Sequence, residues 1–171
     1  MNPNQVSPSE SKPFTIMFVC LGNICRSPAA QGVMESLVQG RSLGHDFRVD
    51  SAGTASYHIG RLPDARMVGA AAKRGYQLTS LAKAVRKGDI IDRRLVLAMD
   101  RENFKEIARI VGGEMRNVRM LSDYLEATWP REVPDPYYGG EAGFEYVLDM
   151  LEAACPKILA ECCNRQNSPE P

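Results

Sequence analysis

The stretch VCLGNICRSP sets Cys20 ahead of Arg26, with five residues between them, and follows the arginine with Ser27 and Pro28. A thiolate is a strong nucleophile, and a guanidinium fork holds two oxygens of a phosphoryl group at once. Ser27 suits a helix N-cap and Pro28 the first helical position, so a helix is expected to begin just after Arg26. Residues 21–26 would then curl between a strand and that helix, turning backbone N–H groups inward with the positive end of the helix dipole behind them. Within the curl, Gly22 permits close backbone approach and Asn23 is the commonest non-glycine choice for a left-handed conformation. Donors that favour an ionised Cys20 would also hold a phosphoryl group above it for in-line attack. The competing reading makes Cys20 and Cys25 small apolar fillers at a strand end, and the C-x5-R-S-P spacing argues against it for Cys20.

A departing aryl oxide or alkoxide needs a proton, so such a site requires a carboxyl group on a loop that folds over it. The stretch EVPDPYYGGEAGF offers Asp135 between two prolines. Taken alone, Asp-Pro is also an ordinary turn before a helix.

Elements able to position these groups follow from the apolar pattern. Residues 14–19 (FTIMFV) form a short continuous apolar run, as expected of a strand covered on both faces. Ala30, Val33, Met34, Leu37 and Val38 then follow a helical period that Gly40 can end. A second strand is expected in FRVDSA, and a helix near 64–74 with Ala65, Val68, Ala71 and Ala72 on one face. RLVLAM reads as a third strand, followed by a helix capped by Asp100 with a stripe of Phe104, Ile107, Ala108 and Val111. NVRML reads as a fourth strand. A last helix buries Phe144, Val147, Leu148, Leu151, Cys155, Ile158, Leu159 and Cys162, with Pro156 expected to kink or interrupt it. Such alternation implies a parallel sheet with helices on both faces, and ligands bound beyond the carboxyl ends of the strands. The Cys20 loop lies there.

With 171 residues, the chain is of a length for one domain, expected over 13–163 between a polar arm at 1–12 and a polar tail at 164–171. Lys+Arg and Asp+Glu are equal at 21 each, which argues against a nucleic-acid partner held by bulk charge and makes any anion site a local one. The apolar run at 14–21 is too short to span a bilayer and lacks the flanks of a signal peptide, so the expectation is a cytoplasmic protein without membrane association, and a monomer. Five cysteines, an odd number, do not suggest a disulfide framework. No C-x2-C pair exists, and neither His45 nor His58 stands at ligand spacing from a cysteine, so no metal or cofactor is expected.

VCLGNICRSP, DSAGT and DPYYGG together resemble the low-molecular-weight protein tyrosine phosphatase family, over 14–163. The resemblance implies a phosphotyrosine phosphatase I-like α/β fold, a four-stranded parallel sheet of order 2-1-3-4, and metal-independent hydrolysis of phosphotyrosine proteins or aryl phosphates through a phosphocysteine. It makes Cys20 the nucleophile, Arg26 the phosphate clamp, Ser27 the hydroxyl that eases thiolate departure, and Asp135 the acid and then the base. It also implies that Asn23 and Ser51 hydrogen-bond to hold the loop. Leu21, Gly22, Asn23, Ile24 and Cys25 would surround the phosphoryl group, with Tyr57, Tyr137 and Tyr138 walling the ring. Ordinary loop packing is the other reading of the tyrosines. Three departures stand out: Tyr57 where many members carry Trp, Arg74 where the animal enzymes have a loop-supporting histidine, and Pro156 in the last helix.

Cys25 shares the curl with Cys20 and is a candidate redox partner that would trap a Cys20 sulfenic acid as a disulfide. Two other functions use the same nest. Arsenate reduction would need further thiols to carry electrons, and those here fall in the last helix. A non-catalytic phosphotyrosine-binding module would not need Cys20, Arg26 and Asp135 together.

Overall fold

In a computed structural model of the chain, residues 12–166 are described. Strand β1 (Phe14–Cys20) lies inside the sheet and pairs in parallel with β2 (Phe47–Gly53) on one side and β3 (Leu95–Ala98) on the other. Short β4 (Val118–Met120) completes a four-stranded parallel sheet of order β2-β1-β3-β4. Because side chains alternate along a strand, Phe14, Ile16 and Phe18 enter one apolar layer while Met17 and Val19 enter the other. Both layers are covered, which is why β1 reads as an unbroken apolar run.

Helices α1 (Arg26–Gly40), α2 (Ala65–Lys73) and α5 (Glu141–Gln166) cover the first layer. The second is closed by α3 (Lys87–Asp92) and α4 (Arg101–Val111), through Ile90, Ile107 and Val111. A 3-10 turn, Leu121–Tyr124, follows β4. Asp100 caps α4 by accepting from Asn103 N–H, as the sequence suggests, and the helix ends where Gly112 takes a left-handed φ of 64°.

Several expectations are corrected. Ser27 is not the N-cap: α1 begins at Arg26 with Cys25 in the cap position, so the Ser27 hydroxyl is free to face the sheet. The buried face of α2 is Met67, Ala70 and Ala71, because Met67 at i, i+3, i+4 supplies the bulk that Ala65 and Ala72 lack. Helix α3 is too short and polar to announce itself by periodicity. Pro156 does not interrupt α5, which runs on to Gln166 and carries three residues of the expected tail. Those residues are docked: Gln166 Nε2 donates to Asp46 O, and the Arg165 guanidinium lies 5.2 Å from the Phe14 ring centre. Residues 1–11, and so nearly all of the expected arm, lie outside the described residues, as do 167–171.

Candidate active site

At the carboxyl end of β1 the chain leaves the sheet at Cys20 and curls through 21–25 into α1. Carbonyls of the curl are drawn outward. Cys20 O accepts from Thr54 N–H, Leu21 O from Ala55 N–H and Ile24 O from Asp64 N–H, at 2.8–2.9 Å. Asn23 takes the left-handed conformation its residue type suggests, with φ 55°, and its N–H points inward to Cys20 Sγ at 3.3 Å.

Beneath the curl is a buried polar network. Asn23 Nδ2 donates to Ser27 Oγ (2.8 Å) and Ser51 Oγ (2.9 Å), while Asn23 Oδ1 accepts from Lys83 N–H (3.0 Å). Ser27 Oγ lies 3.0 Å from Cys20 Sγ. Asn23, Ser27 and Ser51 are all buried, so each group must find a partner inside, and the mutual bonds hold the curl in one shape. Gly53, the last residue of β2, packs against the same loop; a Cβ there would stand 2.7 Å from Leu21 O.

Arg26 is 2% exposed and reaches across the top of the sheet. Its Nη1 donates to Asp100 Oδ2 at 2.6 Å and to Val133 O at 3.0 Å, while Nη2 lies 3.4 Å from Asp135 Oδ2. Burial opposes the guanidinium charge, but Cys20, Asp100 and Asp135 outweigh it and raise the arginine's pKa. Asp100 serves twice, since its other oxygen caps α4 at Asn103 N–H. The sequence announces it only as a cap.

Asp135 sits on the loop before α5, accepting from Tyr137 N–H. Arg66, at the start of α2, steadies that loop: Nη1 donates to Tyr137 O at 3.0 Å, and its guanidinium carbon lies 5.3 Å from the Tyr137 ring centre. A cleft of about 270 Å³ opens between the curl and this loop, lined by Cys20, Leu21, Gly22, Ile24, Cys25, Arg26, Tyr57, His58, Asp135, Tyr137 and Tyr138. The expected residues therefore gather in one place. Asn23, Ser27 and Ser51 are the exceptions, for they lie beneath the curl in the supporting network. His58 takes the cleft edge, its Cδ2 next to Gly22.

Cys25 is 4% exposed. Burial, followed by the charges of Asp64, Cys20 and Asp135, pushes its thiol up to about 12, so it stays protonated at neutral pH. Arg74 does not join the loop network. It pairs with Glu145, Asp149 and Glu152 on α5, and Ser51 Oγ donates instead to Gln31 Oε1 at 2.7 Å. Among the described residues no group of three or more His, Cys, Asp or Glu could hold a metal ion, and no helix is long and apolar enough to cross a membrane.

Comparison with known proteins matches residues 15–168 to the family model described as low molecular weight phosphotyrosine protein phosphatase. A Synechocystis sp. protein carrying the family's name is 48% identical over 146 residues, covering 84% of this chain and 93% of its own. The low molecular weight protein-tyrosine-phosphatase of Streptomyces coelicolor is 39% identical over 151 residues, covering 86% and 92%. Among solved structures, a protein tyrosine phosphatase from Entamoeba histolytica with Hepes in its active site superimposes with a TM-score of 0.85 at 39% identity, covering 90% of this chain and 99% of that one.

Proposed function

The chain belongs to the low molecular weight phosphotyrosine protein phosphatase family, a family of hydrolases, and from that premise we propose that it hydrolyses phosphotyrosine and small aryl phosphates through a metal-independent phosphocysteine intermediate. The observation that carries the reading is the convergence of Cys20, Arg26 and Asp135 on one cleft, with Ser27 Oγ 3.0 Å behind the sulfur.

The substrate phosphoryl group sits in the curl over Cys20. Nη1 of Arg26 is spent on Asp100 and Val133 O, which leaves Nε and the Nη2 hydrogen not facing Asp135 for two phosphoryl oxygens. Cys20 attacks phosphorus in line, forming an S–P bond as the P–O bond to the aryl oxygen breaks. Asp135 gives that oxygen its proton. In the second half a water attacks phosphorus, Asp135 takes its proton, and the S–P bond breaks to release inorganic phosphate. The Ser27 hydroxyl donates to the departing thiolate. Tyr57, Tyr137 and Tyr138 line the cleft and offer aromatic faces to the ring of a phosphorylated tyrosine.

Peroxide would oxidise Cys20 to a sulfenic acid, and Cys25 then condenses with it to give a disulfide and water. Sulfinic acid on Cys20 without an internal disulfide, seen by mass spectrometry after peroxide, would refute that protective step. Arsenate reduction gains no support from Cys155, Cys162 and Cys163, which all lie on α5, the first two buried in the core and the third half-buried.

The test is steady-state hydrolysis of an aryl phosphate at mildly acidic pH with a chelator present, for the native protein and Cys20→Ser. Turnover that survives the chelator and vanishes in the variant is expected. No turnover in the reduced native protein would overturn the reading.

A further inference from the structure

We propose that Gln31 and Glu35, on α1, are positioning residues that fix the direction of the hydrogen-bond chain ending on Cys20; the inference rests on the phosphatase reading of the site. The chain can be followed outward from the sulfur. Ser27 Oγ faces Cys20 Sγ and accepts from Asn23 Nδ2, and the second Nδ2 hydrogen goes to Ser51 Oγ. Ser51 Oγ donates to Gln31 Oε1 at 2.7 Å, and Gln31 Nε2 donates to Glu35 Oε1 at 2.8 Å. Glu35 ends the series, half-buried in the wall of a polar cavity of about 400 Å³ beside Gly32, Tyr76 and Gln77.

Direction matters because each hydroxyl has one hydrogen. Asn23 is oriented at its oxygen by Lys83 N–H, so its NH₂ must point at both serines. Ser51 therefore already receives a hydrogen and must give its own away. It can do so only if Gln31 presents its carbonyl, and a carboxamide has two ends. The carboxylate of Glu35, which accepts and never donates when ionised, draws the NH₂ end outward and leaves the carbonyl facing Ser51. With Gln31 reversed, two donors, Asn23 Nδ2 and Gln31 Nε2, would meet on Ser51 Oγ, and the hydrogen of Ser51 would be left without that acceptor. The consequence at the far end is that Ser27, accepting from Asn23, has its one hydrogen to give, and Cys20 Sγ at 3.0 Å takes it ahead of Ala52 O at 3.4 Å. Arg74, bound to three acids of α5, supplies nothing here.

Two substitutions at the outer end separate direction from packing. Glu35→Lys replaces the acceptor with an obligate donor and favours the reversed Gln31; Glu35→Gln keeps an acceptor and removes only the charge. With a nitrophenyl phosphate, rapid mixing reads formation of the phosphocysteine in the burst and its breakdown in the steady phase. Glu35→Lys is expected to slow the steady phase about three- to tenfold, the loss expected of a weakened hydrogen bond to a charged sulfur, with KM falling alongside it because breakdown of the phosphocysteine sets both. The burst should stand out more clearly, and Glu35→Gln should recover most of the rate. Gln31→Met, which offers Ser51 no acceptor, should show the same slowing and serves if the lysine variant does not fold. A native steady phase in both Glu35→Lys and Gln31→Met would overturn the proposal, as would an equal loss in Glu35→Lys and Glu35→Gln.

Carboxamidomethylation of Cys20 by iodoacetamide, followed by mass spectrometry, needs no turnover. Slower alkylation in Glu35→Lys and recovery in Glu35→Gln are expected, and equal rates in all three proteins would overturn the proposal. If the unaltered protein shows no Cys20-dependent hydrolysis, the phosphatase reading fails while the alkylation rates still decide the direction of the chain.

Discussion

The two halves of the cleft are built differently. On the nucleophile side, Arg26, Asn23 and Ser27 are at most 2% exposed, and the curl is tied to β2, α2 and the 82–85 segment by backbone and side-chain bonds. On the acid side, Tyr138 is 93% exposed and the Asp135 loop is held by Arg66, Arg26 and two local turns. The difference fits what the proposed mechanism asks of each half. A phosphoryl-binding nest gains from being formed before the ligand arrives, because no reorganisation is then needed in the transition state. In the proposed mechanism Asp135 serves two different oxygens in succession, and its loop lies where solvent and leaving group could exchange.

This contrast can be broken from either side. Asp135→Asn should have the largest effect: hydrolysis of phenyl phosphate falls by about 10²–10⁴, while a nitrophenyl ester, whose oxide leaves without help, falls much less. Equal losses on the two esters, compared at saturating substrate, would show that Asp135 does not protonate the leaving group. Gly53→Ala attacks the rigid half from outside the cleft. Its new Cβ would meet Leu21 O at 2.7 Å, so the curl must shift, and kcat/KM is expected to fall roughly tenfold with a cost of about 1–3 kcal/mol in a denaturant melt. Unchanged values would mean that the loop yields freely.

Arg66→Ala loosens the acid side. Since Arg66 touches Tyr137 rather than the reacting atoms, a two- to fivefold loss in kcat is expected, of the order of one surface hydrogen bond. The smallest effect leaves activity aside and concerns the buried thiols. Burial holds Cys25 and Cys162 protonated up to about 12, against about 9 for a free thiol. Above pH 9 the unfolded chain therefore binds fewer protons than the folded one, so stability is full below that pH and is lost as pH rises towards 12. Thermal melts in that window should move down, and Cys162→Ala should flatten the slope while lowering the plateau.

Much of this was legible in the residues. Short apolar runs between helical periods gave all four strands to within one residue of their ends, and C-x5-R-S-P pointed to the curl between β1 and α1. The α2 face was legible in half: Ala71 is buried and Val68 packs against the core as expected, but a stripe started at Ala65 passes over Met67, whose volume decides what is buried. Ser27 was read as a cap because a serine before proline usually is one; the competing demand, a hydroxyl for the sulfur seven residues earlier, is a tertiary one. The dual use of Asp100 and the Gln31–Glu35 extension depend on which carboxylates and amides meet across the sheet end, and no local pattern encodes that. Arg74 raised the right question, since its divergence left a place in the network that another residue had to fill.

One feature of the site bears on how the protein comes to be active at all. The bonds that anchor Arg26 join it to Asp100, 74 positions away, and to Val133, 107 positions away. Contacts of such long sequence separation close only after the chain between them has been ordered, and each carries a loop-closure cost. Catalytic competence is thus a late event in folding. A chain emerging from synthesis carries Cys20 early but lacks the arginine's anchors until β3, α4 and the 133–135 segment have docked, so a half-folded chain holds a thiol and no phosphatase. Recovery of turnover after denaturation would therefore report completion of the entire sheet, and should lag behind the return of helical signal.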